Sequence, residues 1–291
     1  MKLVSTEILN SAYLFSNQTH TDEFTIVTYD SSNGVISNIN KHQINIRNGS
    51  YSSQKLAEYL NTNVFNSGDL LRVKADVEPI TNKFRFVLDP SNNNVDTSGN
   101  GGLFDIDFRL QNKLNQSIQL NMGWLLGFRK PYYSFSKDYI SQNEVTYSLL
   151  EGIEAEGLYN EKGSQYYLIH VNDFNNNKSI VFDTPFQQGL VNSTEILGKI
   201  QNTSQLGQIQ YTQNNDGIFK KREYYGPVNI DRLEIKLLDE YGRIADFQNN
   251  DYSFSLEFDA GRRRHGRYLR KAKSFHAGDW FFCLGFHWLR I

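Results

Sequence analysis

"RLEIKLLDEYGRIADFQNNDYSFSLEF", residues 232–258, carries two runs of strict alternation either side of a turn. In the first, Leu233, Ile235 and Leu237 fall on one face. In the second, Tyr252, Phe254, Leu256 and Phe258 do so, with Ser253, Ser255 and Glu257 on the other. A period of two is the mark of a strand with one buried side, and "DEYGR" supplies turn chemistry between the runs. Together they read as the strand pair that closes a β-sandwich.

The same alternation recurs upstream. "FDIDFRL" sets Phe104, Ile106, Phe108 and Leu110 against Asp105, Asp107 and Arg109, predicting a strand with one wet face. "LRVKADVE" and "KFRFVL", joined by "PITN", predict an antiparallel hairpin with Leu71, Val73, Ala75, Val77, Phe84, Phe86 and Leu88 inside. Further strands are expected at 23–29, 42–47, 165–171, 179–182 and 207–213. Helical spacing is scarce. "SYSSQKLAEYLNTNVF" offers Ser52 or Ser53 as N-cap and a stripe of Leu56, Leu60 and Val64. "NSTEILGKIQN" (192–202) reads as a second short helix, capped by Asn192, Ser193 or Thr194, with Ile196, Leu197 and Ile200 on its apolar side. The expected class is therefore all-β, β-dominated with two short helices, in one or two sandwich units.

Composition agrees. The 291 residues include 20 Phe, 17 Tyr and only 5 Pro, and 31 Asn, all before residue 260, suit many turns joining short strands. One cysteine, Cys283, excludes an intrachain disulfide framework, so a cytosolic folding site is expected. No apolar run of membrane-spanning length and no secretion signal is read. Charge is divided unevenly. Residues 1–259 hold 22 Lys and Arg against 31 Asp and Glu, a net of −9, whereas 260–291 hold 8 against 1, a net of +7. The body alone does not carry the charge of a nucleic-acid binder.

Catalytic and metal motifs are not found. His20, His42 and His170 have no companion at metal-ligand spacing, and the other three histidines lie beyond residue 260. The Asn-rich loop from Asp89 lacks the glycine and glutamate an EF-hand needs, so it reads as a solvated turn. "SGNGGLFDID" runs into a strand rather than a helix, and no nucleophile elbow occurs. Asp105 and Asp107 share a face as a glycosidase pair could, yet such a face is more often simply wet. No cofactor, metal or enzymatic activity is expected. "MGWLLGFRKPYYSF" reads as core from Trp124 to Phe128, followed by Tyr132, Tyr133 and Phe135, which could line an interface or a glycan site. Tyr224 and Tyr225 are candidates of the same kind.

"IRNGSYSSQKLAEYLNT", "VEPITNKFRFVL", "LLGF" and "YGPVNIDRLEIKLLDEYGRIADFQNNDYSFSLEF" resemble, in that order, the minor capsid or penton-like virion proteins of nucleocytoplasmic large DNA viruses and their polinton and virophage relatives. The resemblance spans residues 45–258. It implies a jelly-roll type β-sandwich without catalytic residues, assembled in the host cytoplasm into an icosahedral virion shell. Implied partners are other capsid proteins and copies of itself, a pentamer first. A glycan- or receptor-binding sandwich of a virion vertex or fibre is the alternative.

On this reading residues 1–259 form the capsid body, with a subdivision near 130–145 left open. Residues 260–291, basic and then apolar, are a C-terminal tail. Two readings of the tail stand side by side. Arg262, Arg263, Arg264, Arg267, Arg270, Lys271 and Lys273 could neutralise packaged DNA. Alternatively, and preferred here, the segment is an extension outside the fold, its apolar end an aggregation liability.

Overall fold

The computed structural model describes residues 1–33, 35–89, 91, 101–109, 117–134, 152–179, 195–213, 221–226, 228–259, 270–276 and 282–283, the last two stretches by their backbone. The chain divides into an inserted unit, Tyr13–Gly163, and a flanking unit made of Met1–Ala12 and Ser164–Ile291. The boundaries therefore fall at 12/13 and 163/164 rather than near 130–145.

The strands are β1 (Lys2–Leu9), β2 (Glu23–Ser32), β3 (Val35–Asn45), β4 (Val73–Val77), β5 (Phe84–Leu88), β6 (Gly101–Asp107), β7 (Tyr132–Ser134), β8 (Ile153–Glu154), β9 (Tyr166–Asn172), β10 (Ile196–Gln201), β11 (Ile209–Gln213), β12 (Arg232–Leu238), β13 (Tyr252–Asp259), β14 (Arg270–His276) and β15 (Phe282–Cys283). Two α-helices join them among the described residues, α1 (Ser53–Asn63) and α2 (Met122–Leu126). Every strand pairing among the described residues is antiparallel, and the protein is β-dominated.

In the inserted unit a sheet ordered β3-β2-β6-β7 and a sheet ordered β4-β5-β8 share one core. Phe24, Ile26, Phe104 and Ile106 come from the first, and Val73, Ala75, Phe84, Phe86 and Leu88 from the second. The Phe24 and Phe86 rings meet 5.8 Å apart and tie the two layers. Each such ring pair adds about 0.5–1.5 kcal/mol beyond the area it buries. The hairpin of β4 and β5 forms as its alternation requires, although Leu71 stays partly exposed in the turn before β4.

α1 begins where its sequence signal places it. The Ser52 hydroxyl accepts from the Lys55 N–H, and Leu56 and Leu60 sink into the core. α2 starts at Asn121, whose side chain accepts from the Trp124 N–H, and ends on Gly127 at φ 98°. Leu125, Leu126 and Phe128 are core as expected, and Met122 joins them. Trp124 is not, being half-buried beneath the Arg129 guanidinium at 4.0 Å.

In the flanking unit the sheets are ordered β11-β1-β13-β14 and β10-β9-β12-β15, and Leu3, Ile8, Phe254 and Leu256 pack against Tyr167, Ile169, Val171, Leu233, Ile235 and Leu237. β12 and β13 thus turn inward as their alternation predicts. They are facing strands of opposite sheets, however, not partners in one.

Three expectations are corrected. The second helix is strand β10, paired with β9. A bulge between Ile196 and Gly198 shifts its register, so Leu197 and Ile200 reach the same core at a three-residue spacing that imitates a helix. On β6 the side opposite Phe104 and Ile106 is not wet, since Asp105 is buried. The segment beyond residue 260 does not stand wholly outside the fold. β14 runs along β13 from Ser253 opposite His276 to Asp259 opposite Arg270, and β15 pairs with β12 at Arg232 and Leu233. The open edge of β13 accepts any extended backbone, and a basic composition does not prevent that pairing.

Candidate functional site

At the end of β9 the chain buries an ion cluster. Asp173, 2% exposed, takes the Lys178 ammonium at 2.7 Å and the Asn175 N–H at 3.1 Å on one carboxylate oxygen. Its other oxygen takes Arg222 at 3.1 Å and the Tyr224 hydroxyl at 2.5 Å. Lys178 also reaches Glu195 at 2.6 Å, and Arg222 donates to the carbonyls of Val171 and Glu195. Two cations against two carboxylates leave the cluster balanced, the condition for burying charge at all. Burial pushes the Asp173 carboxyl up, but its bonds to Lys178 and Tyr224 hold it below the usual range. Burial, then the bond to Asp173, raises the Tyr224 phenol. Tyr224, expected as a ligand or interface aromatic, instead braces this cluster.

The loop closing over the cluster presents side chains outward. Phe174 lies at φ 57° and is 44% exposed, and the Arg232 guanidinium covers its ring at 3.9 Å. Tyr225 is 76% exposed, and its N–H bonds to the Asn177 carbonyl at 3.3 Å. Of the expected aromatics among the described residues, Tyr225 is the most exposed.

Tyr132 and Tyr133 are committed elsewhere. The Tyr132 hydroxyl donates to Asp105, which also accepts from Tyr29 at 2.8 Å, and Arg109 lies over the Tyr132 ring at 5.3 Å while holding Asp107 with two bonds. Tyr133 is buried. Its hydroxyl donates to Glu156 at 2.6 Å and accepts the N–H groups of Arg129 and Lys130. Burial, aided by these carboxylates, raises both phenols well above their usual range. Asp105 and Asp107 are thus held by two tyrosines and an arginine rather than sharing a wet face.

A different surface is open. β3 is the terminal strand of its sheet and has β2 as its partner among the described residues. Val35, Ile36 and Ile39 are 68%, 51% and 61% exposed. Only the C-terminal part of this strand was legible. The register shift opposite Thr28 and Asp30 and the positive φ of Asn38 break the alternation of "VISNIN".

Phe135, Arg262, Arg263, Arg264 and Arg267 lie outside the described residues, as do most of the strand expected at 179–182 and the acid-rich loop beyond Ser91. Arg270, Lys271 and Lys273 sit in β14. Among the described residues no three His, Cys, Asp or Glu side chains gather as a metal site, and no helix is long and apolar enough to cross a membrane. Compared with protein-family models, curated proteins and solved structures, the chain finds no match.

Proposed function

We propose that this chain is a structural virion protein, a minor capsid or penton-like component that works by assembling into an icosahedral shell in the host cytoplasm. The observation that carries the proposal is the outer edge of β3. A long strand whose outer edge has no partner among the described residues, with Val35, Ile36 and Ile39 exposed, is a template for another chain, which monomeric proteins normally blunt or cover. The Asn38 irregularity and Lys41 break its regularity, which favours one shaped partner over open-ended stacking.

Strand order in the flanking unit supports a jelly roll. β14 with β13, β15 with β12, β1 with β11 and β9 with β10 make a two-stranded ribbon, and the β1–β13 and β9–β12 pairings roll it into two facing sheets. That is the architecture the resemblance implies.

The test is the variant Ile36→Lys with Ile39→Lys in the full chain. Both side chains are exposed, so thermal stability is expected to hold while sedimentation velocity moves from oligomer to monomer. An oligomer that survives both changes contradicts assembly through this edge.

A further inference from the structure

We propose that the loop surface formed by Phe174, Tyr225, Arg232 and the amides of Asn176 and Asn177 is a binding site for a carboxylate-bearing sugar. The proposal goes beyond the shell function and does not rest on it.

Backbone strain points to the place. Among the described residues, the non-glycine positions with positive φ are His20, Asn33, Asn38, Asn82, Phe174, Gln248 and Asn249. Phe174 is the one large apolar member, whereas asparagine and histidine tolerate this region. Such a residue costs about 1 kcal/mol or more and persists only where its surroundings force it. Here they do. The Phe174 N–H is held by the Asn172 side chain at 2.9 Å, and the next residue on either side is pinned to the buried Asp173 cluster. The ring recovers little of that cost by packing, since it belongs to no core cluster.

What the strain achieves is presentation. The ring is 44% exposed with the Arg232 guanidinium carbon 3.9 Å from its centroid, and among the described residues that ring is the guanidinium's partner. Its planar fork of N–H donors matches the two oxygens of a carboxylate. Tyr224, Tyr225 and Asn229 are tied to the same loop, through Tyr225 N–H to Asn177 O, the Lys178–Tyr224 bridge and the Asn175 side chain on the Asn229 carbonyl at 3.4 Å. Tyr225 adds a second exposed ring, and the exposed Asn176 and Asn177 amides add groups that both donate and accept. Aromatic faces suit the C–H face of a pyranose, amides suit its hydroxyls, and a guanidinium suits an acid on its ring. An acidic peptide would use the arginine but leave the amides and second ring without a role.

The experiment is saturation-transfer NMR with the full chain and 3′-sialyllactose, with lactose, inorganic phosphate and a tetraglutamate peptide as comparison ligands. Transfer concentrated on the sialic acid ring, and weakened about tenfold by Phe174→Gly and by Arg232→Gln but not by Tyr211→Ser at a distant exposed tyrosine, is expected. Phe174→Gly relieves the positive φ, so its melting temperature should equal or exceed that of the parent. No transfer, equal transfer to lactose, displacement by phosphate at equal concentration, preference for tetraglutamate, or a Phe174→Gly variant that binds normally would each overturn the proposal. So would a Phe174→Gly variant that melts several degrees lower, since the ring would then be serving the fold.

Discussion

Lys178 and Asp173 meet at 2.7 Å with their side chains 3% and 0% exposed, in the flanking unit's interior. A pair of this kind contributes little net stability when intact, because desolvating two charges offsets their attraction. Removing one partner is a different matter. Lys178→Met leaves the Asp173 and Glu195 carboxylates facing only Arg222 and neutral donors, and is expected to cost about 3–5 kcal/mol. Urea unfolding checks this, and a loss under about 1 kcal/mol would show that water reaches the cluster.

His170 lies on β9 between Ile196 of β10 and Lys236 of β12, buried, with Nδ1 unpartnered among the described residues. Burial first, then the positive charge of Lys236, lowers its pKa to about 4, with Arg222 and Lys178 acting in the same direction and Glu234 opposing. An unfolded histidine titrates near 6.5, so between these values the unfolded chain binds the extra proton. The contribution is whole above about pH 6.5 and is lost as pH falls towards 4, to a limit of about 3 kcal/mol. His170→Leu should flatten that part of the stability profile relative to the parent. Parallel profiles for the two proteins would contradict it.

Gly127 ends α2 at φ 98°, and a Cβ there would lie 2.2 Å from the Gly157 carbonyl oxygen, whose own N–H bonds to the Gly127 carbonyl at 2.8 Å. Backbone on both sides leaves no flexible atom to give way. Gly127→Ala should destabilise the inserted unit by more than about 2 kcal/mol, through left-handed strain and overpacking together. Calorimetry would contradict this by finding an unchanged melting temperature.

How far the sequence reveals such features depends on how local their causes are. β2, β4, β5, β6, β12 and β13 follow from alternation, because one buried face imposes a period of two. β10 was misread because a single bulged residue converts that period into helical spacing. Asp105 gave no sign of burial, since its donors Tyr29 and Tyr132 arrive from other strands. The ion cluster draws Glu195 and Arg222 onto Asp173 and Lys178 of one loop, and no residue among them carries a local signature. In "NDFNNNK" the asparagines announce a turn. That the turn sets Phe174 at positive φ follows only from the Asp173 cluster beneath it.

Assembly is the central claim, and the mass of the full chain in solution tests it most directly. The full chain is the right material because β14 and β15 pair within the flanking unit's sheets. Light scattering coupled to size exclusion should return a closed cyclic oligomer, a pentamer first, as a whole-number multiple of 33.7 kDa. A single species of 33.7 kDa that persists as the protein is concentrated would contradict it.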